Sequence, residues 1–197
     1  MSGILRLNGA TSGYIELKAA DVANNATLTV PNDGFGGGGK VLQVIQSVKT
    51  DAEAITTGFS WADIDDLSVT ITPSATTSKI FVMSDFAIGS SNSYDSKVRL
   101  YRGSTHIYSG DESTSYVSVT KRIQPYSASN DVYKLENVAL SFLDSPNTTS
   151  ATTYKLQGAT YGSVVMYINR THTMNAYKSS GYDSLPASSI TVWEIGA

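Results

Sequence analysis

The sequence predicts an all-β protein, a short N-terminal strand segment followed by an antiparallel β-sandwich head. Three observations carry this. Apolar and polar residues alternate over many short runs, the signature of half-buried strands. Gly, Pro, Asn, Asp and Ser punctuate those runs at the spacing of an antiparallel sandwich or barrel. No stretch joins helical periodicity to a helix start signal, and 50–54 amounts at most to a short turn.

The N-terminal segment, residues 1–33, contains three strand-like pieces. Residues 4–8 end in Asn8-Gly9, a favoured hairpin turn. Residues 14–18 alternate, setting Ile15 and Leu17 on one face and Tyr14, Glu16 and Lys18 on the other. Residues 26–30 alternate again and stop at Pro31. So small a sheet is marginal without a cover. Leu5, Leu7, Ile15, Leu17, Leu28 and Val30 therefore need something to pack against. The segment folds back onto the head, intertwines with copies of itself, or docks on a larger assembly; the pattern leaves these open.

Residues 34–39 form a glycine-rich joint. Gly36, Gly37, Gly38 and Gly39 give up the most backbone freedom on ordering and make a hinge. Gly34 with Gly39-Lys40 has most of a phosphate-binding loop, but Val41 stands where Ser or Thr should hold Mg²⁺, and a β-branched run follows instead of a helix. The joint reads as a linker.

The head covers 40–197. Its first strand, 40–48, is apolar on both alternating sets, as expected of a strand buried on both faces. Phe59-Ser60-Trp61 follows, then 67–72, which Pro73 ends. Residues 79–88 place Ile80, Val82, Phe86 and Ile88 on one side; 97–102 turn Val98 and Leu100 inward and Tyr101 outward. Gly103-Ser104 leads into 106–108, and strands over 116–120, 138–143, 153–157, 164–169 and 190–195 complete the set. With roughly 160 residues the head can bury about 70 % of its unfolded surface.

Composition excludes several functions. There are no cysteines, which removes disulfides and thiolate metal sites. Charged residues make up 16 % and Ser plus Thr about a quarter, a surface solubilised by hydroxyls. The net charge of −3, with Lys and Arg scattered singly, offers no basic patch for nucleic acid. No apolar run suits a bilayer span, and 1–4 lack a signal-peptide start, so neither membrane insertion nor ordinary secretion is expected. Without that route, the glycosylation triplets at Asn25, Asn147 and Asn169 are coincidences of a Thr-rich chain.

Little points to catalysis. His106 and His172 sit in no motif, and no Gly-x-Ser-x-Gly elbow is present. Asp63, Asp65 and Asp66 lack the Gly and distal Glu of a calcium loop and read as a solvated turn. No enzyme activity, metal or cofactor is expected. The twelve tyrosines are more informative, since Tyr94, Tyr101, Tyr108, Tyr116, Tyr126 and Tyr133 crowd the middle of the head. Exposed tyrosine offers an apolar face with a polar tip, suited to sugar or protein recognition. Tyr94, Tyr101 and Tyr108 are the candidate recognition face, the alternative being packing between subunits or over sheet edges.

Residues 5–19 (Leu5-Arg6-Leu7-Asn8-Gly9-Ala10-Thr11-Ser12-Gly13-Tyr14-Ile15-Glu16-Leu17-Lys18-Ala19) and 27–31 resemble the opening of structural proteins of tailed bacteriophages, particularly cyanophages and other marine phages. Residues 67–79, 99–105, 141–155 with Leu143-Asp144-Ser145-Pro146, and 188–195 are similar to the same group. The resemblance implies a virion surface protein, a homotrimeric fibre or capsid decoration protein with a jelly-roll-like head. Its N-terminal segment would dock on capsid or tail proteins. The alternative it leaves is a receptor-binding knob that recognises a host surface glycan.

Overall fold

The computed structural model describes residues 4–8, 14–18, 39–91, 94–124, 133–172 and 184–196. Among them every regular element is a β-strand, and every strand pairing is antiparallel. The chain divides into two compact units, Met1–Gly37 and Gly38–Ala197.

In the first unit, β1 (Ile4–Asn8) pairs with β2 (Tyr14–Lys18), Leu5 opposite Leu17 and Leu7 opposite Ile15. The expected strand over 26–30, with Leu28 and Val30, lies outside the described residues, as do Gly36, Gly37 and Gly38.

The second unit is a β-sandwich. Its strands are β3 (Val41–Lys49), β4 (Glu53–Ile55), β5 (Ala62–Ile71), β6 (Lys79–Ser90), β7 (Ser96–Arg102), β8 (Thr105–Ile107), β9 (Lys121–Ile123), β10 (Glu136–Asp144), β11 (Thr152–Thr160), β12 (Met166–Ile168) and β13 (Ser188–Ile195). The first sheet is built on β6. β10 runs along one of its edges; β13 and then β12 share the other, with β3 outside β13 and β4 outside β12. The second sheet has the order β5-β11-β7-β8, with β9 also on β7.

The two-residue period turns one set of side chains from each sheet into a common core. Ile80, Val82, Phe86 and Ile88 of β6, with Ile190 and Val192 of β13, belong to the same buried cluster as Leu67, Val69 and Ile71 of β5, Val98 and Leu100 of β7, and Leu156 of β11. Burial of each such side chain contributes about 1.5–3 kcal/mol.

Several strands depart from their sequence pattern. β3 is not buried on both faces. It pairs with β13 alone among the described residues, and Val41, Leu42, Val44 and Val48 are 56, 50, 53 and 49 % exposed. Only Gln43, Ile45, Ser47 and Lys49 turn inward, because an outer strand of a two-layer sandwich has a layer on one side only. Residues 116–120 do not form the expected strand. A single bridge joins Ser113 and Tyr116, and β9 begins at Lys121. Here Ser118 Oγ donates to Gly110 O, a hydroxyl contact that competes with ladder pairing. Asp63, Asp65 and Asp66 lie within β5 rather than in a turn. A bulge opposite 155–157 of β11, with Asp66 at φ 59°, lets Asp65 and Asp66 both face solvent and restores the alternation at Leu67. Part of 50–54 belongs to β4.

Candidate functional site

The connections β4–β5, β6–β7 and β11–β12 each bring one ring to a shared cluster. Phe59 packs edge-on against Tyr161 at 4.8 Å between centroids, and Tyr94 stacks on Tyr161 at 4.9 Å. Phe59 follows Gly58 (φ 55°) and itself takes φ 78°, unusual for a bulky residue. Its N–H donates to Thr160 O at 2.9 Å, which holds the turn against β11. All three rings are exposed, so the cluster is an aromatic platform open to solvent.

Tyr101 and Tyr108 join other groups. Tyr101, half-buried on the outer side of β7, stacks on His106 at 5.7 Å. Arg99 lies 4.5 Å from the Tyr101 ring and 4.0 Å from the Trp61 ring, and its Nε donates to Gln157 Oε1. Tyr108 stacks on Phe142 at 5.0 Å. The three tyrosines singled out by sequence thus occupy three separate ring contacts. The sequence offers Phe59, Trp61 and Phe142 only as strand residues and does not single out Tyr161, because their ring partners come from other strands and connections.

No protein family and no curated protein matches the sequence. The chemistry therefore rests on these groups alone. Burial, then the nearby Arg99 charge, hold the His106 imidazole below its usual pKa, Glu112 opposing weakly, and its Nε2 has no hydrogen-bond partner among the described residues. His172 packs instead beside Tyr167, at 5.7 Å.

The carboxylates of Asp63 and Asp144 have structural partners, whereas Asp65 and Asp66 are engaged through their backbone. Asp63 accepts from Lys155 Nζ at 2.7 Å and from Gln157 Nε2. Burial would raise its pKa, but these contacts outweigh it and lower it. Asp65 N–H donates to Glu53, and Asp66 O accepts from Ser47 Oγ. Asp144 takes two hydrogen bonds from Arg102 Nη1, at 2.7 and 2.9 Å, and a third from the Tyr154 hydroxyl at 2.7 Å. Burial and that bond push the Tyr154 phenol well above its ordinary range. Among the described residues no group of three or more His, Asp or Glu is placed to hold a metal ion.

Of the N-terminal candidates, Leu5, Leu7, Ile15 and Leu17 lie on the β1–β2 pair. Of the hinge glycines only Gly39 is described. A Cβ there would collide with the Ile195 side chain, so this position is committed to a close approach.

Proposed function

We propose that the chain is a structural protein of a tailed-phage particle, a homotrimeric surface fibre or capsid decoration protein with residues 1–33 as its docking segment. The reading rests on the resemblance read in the sequence at 5–19, 67–79 and 188–195, and the observation that supports it is the division into a strand pair and a β-sandwich. A strand pair preceding a separate β-sandwich is consistent with an anchor and a projecting head. The buried residues of the anchor would be Leu5, Leu7, Ile15, Leu17, Leu28 and Val30. Replacing Ile15 and Leu17 with Asp should abolish attachment to particles while the head keeps its native circular dichroism and melting profile. Particles that retain the double variant at normal copy number would refute the anchor.

The platform of Phe59, Tyr94 and Tyr161 favours a second reading, a receptor-binding knob for a host surface glycan, since exposed rings can stack on the apolar faces of sugars. Here the Tyr94→Ala/Tyr161→Ala double variant should lower glycan binding or host adsorption at least tenfold. Unchanged adsorption sinks that reading.

A further inference from the structure

The two outer faces of the sandwich differ in chemistry. On the second sheet the outward residues are mostly polar and joined to one another, Asp63 to Lys155 at 2.7 Å, Arg99 to Gln157 at 3.0 Å and Thr70 to Thr153 at 2.7 Å, and its outward ring, Tyr101, lies under the Arg99 guanidinium. That is the solvated face expected of an antiparallel sheet. The first sheet breaks the pattern. Register aligns Val44 of β3 with Trp193 of β13, Trp193 with Phe81 of β6, and Phe81 with Leu143 of β10. These four positions form one outward row across four strands, flanked by Leu42 and Met83. Phe81 and Trp193 contact each other at 5.6 Å, while Leu42, Val44, Met83 and Leu143 are 50, 53, 44 and 54 % exposed.

We infer that this face is where one copy of the chain packs against another; the inference rests on the oligomeric reading above. The row carries on the order of 400 Å² of exposed apolar surface, the size of the largest patch on a typical single chain, which is often functional. A stable interface takes about 800 Å² from each partner, with an apolar centre and a polar rim. The row supplies such a centre, and Gln46 and Ser141 on the next row supply part of such a rim. The outward face of β6 carries one Lys79 and one Asp85, so its net charge is near zero. The adjoining edge of β3 also lacks the usual guards, with no Pro and no charged residue from Val41 to Val48. A second copy covers both row and edge.

The test is light scattering on the full-length protein and on its Val44→Lys and Leu143→Lys variants. It is paired with maleimide labelling of a Met83→Cys variant, which the cysteine-free chain makes specific. Ser68→Cys, on the exposed face of the second sheet, is the labelling control. The expected result is an oligomeric parent, Lys variants that fall to single-chain mass with unchanged circular dichroism, and labelling of the Met83→Cys variant at least tenfold slower than that of the control. Lys variants that remain oligomeric, or a Met83→Cys oligomer labelled as fast as the control, overturn the inference while the trimeric reading stands. A monomeric parent overturns both.

Discussion

Glu194 points into the sandwich from β13, fully buried, and accepts hydrogen bonds from Ser74 N and Oγ and from Gln43 Nε2, each at 2.6 Å. Burial alone would raise its pKa, but the donors outweigh it and hold the carboxyl at about 2. A carboxyl depressed in the fold stabilises it fully above the unfolded value of 4.5, and that contribution disappears as pH falls towards 2. Glu194→Gln should therefore lower the melting temperature near neutrality and flatten its decline between pH 5 and pH 2. Thermal melts across that range decide the matter, and parallel slopes for parent and variant would refute the assignment. The inward position of Glu194 follows from alternation with Ile190 and Val192. Its donors do not, because Ser74 lies 120 residues away.

At the scale of elements, alternation was legible where a strand has one face in the core and a simple ladder. β6, β7 and β13 fall close to their expected bounds, β6 and β7 with the expected residues inward. Position within a sheet was not legible. β3 carries the pattern of a doubly covered strand yet lies outside β13, since a strand's own residues do not specify what covers its second face. The β5 bulge was hidden for a related reason: Asp65-Asp66 breaks the period locally, and only the opposing β11 shows that the strand continues. Gly89 gives a test of close packing within the first sheet. It sits on β6 opposite Tyr167 of β12, where a Cβ would meet the backbone oxygen of Arg170. Backbone cannot swing aside, so Gly89→Ala should cost about 1–3 kcal/mol and lower the melting temperature by several degrees. A melt within a degree of the parent would show that the Arg170 connection yields.

For the whole molecule, the fold class and the strand-to-sandwich order could be read from periodicity and punctuation. The surfaces could not. The Phe59–Tyr94–Tyr161 platform gathers one ring from each of three connections, and the apolar outer row takes one residue from each of four strands. Neither has a spacing that a linear pattern could reveal. β3, the first strand of the sandwich, is held by β13, with Gln46 bonded to Thr191 across 145 residues of chain. During synthesis the apolar stretch from Val41 to Val48 therefore leaves the ribosome long before its partner exists. The first sheet closes only after Ser188–Ile195 has emerged, and until then the nascent chain must be kept from pairing with its neighbours on the same message.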